Sequence, residues 1–199
     1  MARFVFTAPM AAVATPELAA RLNRALALFP ELAGRPVTVG VTASRWLDGL
    51  AYPQERLIRL NPYRRKHVTY FTIGHELTHL VQTPGLGLIP SGEVQCDIWT
   101  LARDPLFLDE KPCYLKVDCD GRSWRRHAHA IRNLCSRAIV ERRHNRRYIV
   151  WLQQQLSAYF HGRTGQLRLF DDAAPAVTSR WRNREPWVAG RPDCRPPPG

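Results

Sequence analysis

The spacing of apolar residues along the chain predicts a fold of the α+β class. Residues 37–42 (VTVGVT) and 56–60 (RLIRL) have the short alternating pattern of half-buried strands. The segment 68–82 instead repeats its apolar residues at helical spacing. An earlier amphipathic helix is predicted to begin at Thr15 and Pro16, which suit a cap and a first helical turn. The apolar face of that helix consists of Leu18, Leu22, Leu26 and Phe29.

The second half of the chain is predicted to be mainly helical. Residues 91–104 form an amphipathic segment that Ser91 can cap after Pro90. Residues 123–160 form a longer helical region, predicted as two helices broken near His144 and Asn145. From residue 165 the chain becomes rich in proline and arginine, and this tail is predicted to be irregular.

The helix predicted over residues 68–82 contains the sequence His75-Glu76-Leu77-Thr78-His79. Residues four apart lie one turn above each other on a helix, so His75 and His79 can both direct an imidazole at one Zn²⁺. Glu76 lies beside them, where it can take a proton from a metal-bound water. The alternative is that these are ordinary surface histidines, but a helix this apolar is expected to be buried.

A catalytic zinc site needs a third protein ligand and an open position for water. Glu93 and Asp97 are four apart on the predicted helix 91–104, so both point the same way. We interpret Glu93 as the third ligand and Asp97 as the acceptor for the free ring N–H of a ligating histidine. Alternatively, Glu93 is a first-turn acid that stabilises the helix N-terminus.

These residues resemble the pattern of the gluzincins, thermolysin-like zinc peptidases with a His-His-Glu site. The resemblance covers roughly residues 37–104, and it looks most like the minimal single-domain members. It implies a zincin-like core with one zinc ion per chain, bound by His75, His79 and Glu93, with Glu76 as general base and Asp97 supporting a histidine. The gap from His79 to Glu93 is shorter than in large members.

In zincins an edge strand lies above the metal and pairs with an extended substrate. The strand at 56–60, directly before the metal helix, is a candidate for that role, although its pattern also suits an interior strand. A donor to the transition state should also exist, and the candidates are Tyr114, His127 and Tyr148. The expected reaction is hydrolysis of a peptide bond in a peptide or protein substrate.

Positive charge is concentrated in one segment of the chain. The chain carries a net charge of +12, and residues 122–147 hold nine arginines against one acid, Glu141. Such a face, including Arg142, Arg143, Arg146 and Arg147, can contact the phosphates of a nucleic acid. SprT-like proteases combine a zinc-peptidase core with DNA association, and they are similar in having a strand that ends like Leu60-Asn61-Pro62. The alternative is a solvated face in an arginine-rich protein, since only three lysines occur.

Cysteine usage favours a reducing, cytoplasmic location. The five cysteines are odd in number, and Cys113, Cys119, His127 and His129 do not match the spacings of structural zinc sites. Residues 3–14 resemble a secretory signal only weakly, and no apolar run reaches the length of about 20 residues that spans a bilayer. No membrane association is therefore expected.

Three parts of the chain are expected. Residues 1–110 form the peptidase core, residues 111–164 form a basic helical extension packed on it, and residues 165–199 form the tail. The predicted function is that of a zinc-dependent peptidase. The alternative is a nucleic-acid-associated or latent protein of the same fold with little proteolysis of its own.

Overall fold

The computed structural model describes residues 3–64, 67–82 and 88–161. Within them four strands form one mixed sheet: β1 (Phe4–Phe6), β2 (Val37–Val41), β3 (Gly49–Tyr52) and β4 (Leu57–Leu60). The strand order is β1-β2-β4-β3. The pairs β1–β2 and β2–β4 are parallel, and β3 is antiparallel to β4.

The position of β4 corrects one expectation. The strand predicted at 56–60 exists, but it lies between β2 and β3 and so cannot pair with a substrate. The edge next to it is β3, a strand that the sequence pattern did not reveal. Leu57, Ile58 and Leu60 are buried, as suits an interior strand.

In the described part of the chain, the sheet is accompanied by six α-helices: α1 (Ala8–Ala11), α2 (Pro16–Leu26), α3 (Tyr70–Val81), α4 (Glu93–Arg103), α5 (Trp124–Glu141) and α6 (Tyr148–Phe160). The predicted start of α2 is confirmed, because the Thr15 hydroxyl accepts a hydrogen bond from Leu18 N at 3.2 Å. The predicted cap of α4 is wrong. Gly92, with φ of 119°, precedes Glu93, which leaves Ser91 one residue outside the capping position.

Two apolar clusters hold the fold together. The first joins the sheet to α2 and α3 through residues such as Leu22, Phe29, Ile58, Ile73 and Leu77. The second joins α4, α5 and α6 to the segment between α4 and α5; it includes Ile98, Leu101, Leu115, Trp124, Ile131 and Leu152. Helices α5 and α6 therefore pack against α4, and they separate near His144 and Asn145 as predicted.

Helices α3 and α4 approach each other closely at Gly74. A Cβ atom there would lie 2.6 Å from the Phe107 ring and 2.9 Å from Thr100 Cγ2. One turn along α3, the hydroxyls of Thr78 and Thr100 share a hydrogen bond of 2.9 Å. This close crossing brings the acidic N-terminal turns of α4 against the histidines of α3.

The segment that weakly resembles a secretory signal forms β1 and α1 of this fold. None of the helices within the described residues is long and apolar enough to cross a membrane. The predicted irregular tail, residues 165–199, lies outside the described residues.

Candidate metal centre

The N-terminus of helix α3 is fixed from two sides. The Thr69 hydroxyl accepts a hydrogen bond from Thr72 N, and the Asp109 carboxylate accepts from Tyr70 N at 2.8 Å and Phe71 N at 2.9 Å. Thr69 in turn donates to Glu110 at 2.6 Å. Acids at a helix N-terminus stabilise it through its dipole as well as through these bonds. The helix therefore begins at a defined residue, which fixes where His75 and His79 point.

Three atoms converge between α3 and α4. Nε2 of His75 lies 3.2 Å from Nε2 of His79. Oε2 of Glu93 lies 3.0 Å from the first and 3.1 Å from the second. Nitrogen and oxygen ligands around a tetrahedral zinc ion lie about 3.3 Å from each other. The donor set and its spacing therefore fit a zinc ion, and the three residues are those that the sequence pattern indicated.

The outer ring nitrogens of both histidines are hydrogen-bonded. His75 Nδ1 lies 2.9 Å from Asp97 Oδ1, the contact that we expected for Asp97. His79 Nδ1 lies 2.9 Å from Gln82 Oε1, a partner that the sequence had not suggested. Because both partners are acceptors, each Nδ1 donates, so Nε2 is the atom that can bind a metal once it carries no proton.

Asp97 and Gln82 are themselves held in place. Asp97 is fully buried, and its Oδ2 accepts hydrogen bonds of 2.7 Å from the backbone of Tyr114 and of Leu115. The Gln82 amide donates to Pro90 O at 2.6 Å and to Gly92 O at 3.0 Å. Both histidine rings are thus oriented by groups that have few other positions to adopt.

Cys96 competes with Glu93 for the place of third ligand. Its Sγ and one ring nitrogen from each of His75 and His79 lie within 4.8 Å of one another. Its side chain is completely buried, and burial, together with the charges of Glu93, Glu76 and Asp97, raises the pKa of the thiol. We favour Glu93, because its carboxylate oxygen already contacts both histidine nitrogens. A neutral thiol next to three carboxyl groups is also a poor donor to a metal.

Without a metal the cluster is a network of charged hydrogen bonds. Burial alone would lower the pKa of His75, but the hydrogen bonds to Asp97 and Glu93 and the nearby acid charges raise that pKa to about 10. Burial would raise the pKa of Glu93, but the hydrogen bonds from His75 and His79 lower it to about 2. A cation at the convergence point would replace the proton that His75 holds.

Glu76 is buried beside this cluster, with 6% of its surface exposed. Burial is the main reason that the pKa of its carboxyl group is raised, and the charges of Glu93 and Asp48 add to the effect. Strand β3 contacts it directly. A Cβ atom at Gly49 would lie 2.6 Å from Oε1 and 2.8 Å from Cδ of Glu76, so any larger residue here would force Glu76 or β3 to shift.

The cluster opens into a cleft of about 830 Å³ that is lined by residues of β3, α3 and α4. Gly49, Leu50 and Ala51 of the edge strand line one side, and Cys113 and Tyr114 line the other. Trp46 has 51% of its surface exposed in the same cleft. A cleft that is lined by an edge strand can accept an extended chain.

Tyr114 is the one proposed transition-state donor that lines the cleft. Its ring stacks on His75 with centroids 5.7 Å apart. His127 lies elsewhere, with Nδ1 2.9 Å from the Tyr159 hydroxyl. Tyr148 is buried against Trp99. The donor role of His127 and Tyr148 is therefore wrong, because neither side chain reaches the cleft.

No second metal cluster occurs among the described residues. Cys113, Cys119, His127 and His129 do not form such a cluster among these residues. The four described cysteines are free thiols, and Cys194 lies outside the described residues. Arg142, Arg143, Arg146 and Arg147 lie on the surface and do not line the cleft.

The parts of the site that sequence patterns missed are β3 with Gly49, the Gln82 contact and Cys96. Only Gln82 and Cys96 could have been found from the sequence, because each lies three residues after a proposed ligand on the same helical stretch.

In comparisons with known proteins, no family model matches the chain, and neither a curated protein nor a solved structure matches it. The residues of the site are therefore the basis for any functional conclusion.

Proposed function

We propose that this protein is a zinc-dependent peptidase with a zincin-like core. The observation that carries the proposal is the convergence of His75 Nε2, His79 Nε2 and Glu93 Oε2 within 3.2 Å of each other, beside the buried carboxyl group of Glu76. Two neutral imidazoles and one carboxylate are the ligands of a catalytic zinc site that keeps a position open for water.

His75, His79 and Glu93 would hold the metal, and Asp97 and Gln82 would keep the two rings aligned with it. A zinc ion in such a site polarises a carbonyl group and lowers the pKa of bound water toward about 7. Glu76 would take the proton from that water and later deliver it to the leaving amine. Its raised pKa suits both transfers, because the group must accept and then release a proton near neutral pH.

The edge strand β3 is the proposed binding strand for the substrate. Asn61 N donates to Asp48 O at 2.9 Å, so residues 48 and 61 form a hydrogen-bonded pair. Alternation along the register then directs the backbone groups of Leu50 and Tyr52 toward β4. Those of Gly49 and Ala51 point away from β4, where an extended peptide can pair with them.

The decisive experiment compares the wild-type protein with Glu76→Gln. Glutamine keeps the size and the hydrogen-bonding ability of the side chain but cannot act as a base. The variant should retain zinc and lose about 10²- to 10⁴-fold in the rate of cleavage of a mixed peptide library. Equal cleavage by both proteins would refute the mechanism. A zinc-loaded wild type that cleaves nothing in the library would instead favour a binding or latent protein.

A further inference from the structure

The turn between α5 and α6 presents four exposed arginines, Arg142, Arg143, Arg146 and Arg147, within six residues. We call residues 142–147 the arginine turn. The turn is well ordered by hydrogen bonds. Asn145 Nδ2 donates to Glu141 Oε1 at 2.8 Å, and Asn145 Oδ1 accepts from Arg147 N at 2.8 Å. The four arginines therefore extend from a turn whose backbone is held by hydrogen bonds.

No carboxylate in the described part of the chain forms an ion pair with these four arginines. The one acid nearby, Glu141, bonds to Asn145 and lies 3.5 Å from His144. Acids of the core are engaged elsewhere: Asp109 caps α3 and pairs with Arg21, and Asp104 accepts from Leu106 N. Within the described residues, these arginines therefore do not neutralise acids of the core.

The positive surface continues along α5. Arg122, Arg125 and Arg126 are exposed at the start of this helix, and Arg137 is exposed near its end. The helix has 18 residues, which corresponds to about 27 Å. Duplex nucleic acid carries one phosphate charge per about 1.7 Å, so a surface of this length faces roughly eight base pairs. Apolar side chains on the other side of α5 bind it to α4, so the arginine side faces solvent.

We propose that the arginine turn and the exposed side of α5 bind the sugar-phosphate backbone of a nucleic acid. The guanidinium group suits this partner, because it forms paired hydrogen bonds with phosphate oxygens. A stable protein–protein interface usually has an apolar centre, and a helix that inserts into a membrane surface carries bulky apolar side chains. The exposed large apolar residues close to the turn are only Val140 and Val150 among the described residues. The proposal does not depend on the peptidase activity.

The test uses the full-length protein and a fluorescent duplex of about 20 base pairs at 50 to 200 mM salt. Wild type should bind at low salt, with affinity falling steeply as salt rises. Changing Arg142, Arg143, Arg146 and Arg147 to Gln should flatten the log–log slope by about 3.6 units, at 0.9 per phosphate contact. The same four positions changed to Lys should retain most of the slope, since the charge remains.

A matched control removes four charges elsewhere, by changing the exposed Arg3, Arg24, Arg35 and Arg45 to Gln. Its net charge equals that of the turn variant, yet its slope should stay close to that of wild type. An equal loss in both variants would show that net charge alone drives binding, and the proposal would fail. Failure of wild type to bind at 50 mM salt would also refute it. Tight binding to anionic phospholipid vesicles without binding to the duplex would reassign the surface to a membrane.

Discussion

Asp97 joins two parts of the chain at the histidine His75. One carboxylate oxygen lies 2.9 Å from His75 Nδ1, and the other accepts 2.7 Å hydrogen bonds from the backbone of residues 114 and 115. Asp97 thereby orients His75 so that Nε2 faces His79 and Glu93. Partners of this kind typically change metal affinity or activity by 10- to 100-fold when they are replaced.

The Asp97→Asn variant should therefore bind zinc about 10- to 100-fold more weakly than wild type. An amide cannot accept hydrogen bonds at both of its polar atoms, so either His75 or the backbone at 114 and 115 loses a partner. Competition against a chelating dye measures the affinity. Asp118→Asn is the matched control, because the Asp118 side chain is 70% exposed. Unchanged zinc affinity in Asp97→Asn would show that Asp97 does not orient His75.

The zinc content of variants and the absorption spectrum of the cobalt-substituted protein distinguish Glu93 from Cys96 as the third ligand. Glu93→Ala should lose most of its zinc, whereas Cys96→Ala should keep about one ion per chain, since the thiol is neutral and buried. Cobalt-substituted wild type should lack the intense near-ultraviolet band of a thiolate–cobalt bond. The presence of that band, together with full zinc in Glu93→Ala, would assign Cys96 as the ligand.

Gly49→Ala should reduce catalysis without reducing zinc content. The added methyl group would lie 2.6 Å from Glu76 Oε1, so either Glu76 or β3 must move. A displaced general base costs about 10² or more in kcat/KM. Gly121→Ala is the control, because a Cβ atom at that position meets nothing within 4 Å. Wild-type cleavage rates in Gly49→Ala would mean that Glu76 needs no space from β3.

Zinc uptake should release a proton and strengthen as pH rises. His75 has a pKa of about 10 in the metal-free protein, so it holds a proton at neutral pH that the metal must displace. Affinity should then rise up to about tenfold per pH unit below that pKa. Calorimetry in buffers of different ionisation enthalpy counts the released protons. No proton release at pH 7 would contradict the raised pKa.

The same raised pKa affects the stability of the metal-free protein. Because the folded pKa of about 10 exceeds the ordinary value of 6.5, the stabilising contribution of His75 is complete below about pH 6.5. This contribution to the free energy of unfolding decreases above pH 6.5 and is lost as the pH rises through about 10. Urea unfolding of chelator-treated protein at several pH values measures this, and His75→Gln should lack that part of the pH dependence.

Gly74→Ala should destabilise the fold although alanine favours helices. The propensity gain is at most about 1 kcal/mol, whereas overpacking against Phe107 and Thr100 costs about 1–3 kcal/mol. The denaturant midpoints of wild type and Gly74→Ala show whether the substitution lowers or raises the free energy of unfolding. A stabilised variant would show that α3 and α4 can separate slightly at no cost.

Local patterns predicted the parts of the site that lie within single elements. His75, Glu76 and His79 share one helix, and Glu93 and Asp97 share the next, so helical geometry alone related them. Strand β3 escaped prediction because its four residues begin with Gly49 and none of them is fully buried, which removes the alternation that indicates a strand. The interior position of β4 depends on long-range pairing with β2, and no local pattern reports such pairing.

The segment from residue 109 to 115 connects helices α3 and α4 to the basic extension. Its first residue caps α3, and its last two hold Asp97 on α4. A cut at the predicted boundary near residue 110 would therefore remove part of the framework that aims His75, not merely an appendage. For anyone designing a minimal version of this protein, the smallest unit that preserves the arrangement of His75, His79 and Glu93 must extend through residue 115 and include the helices that bury Leu115.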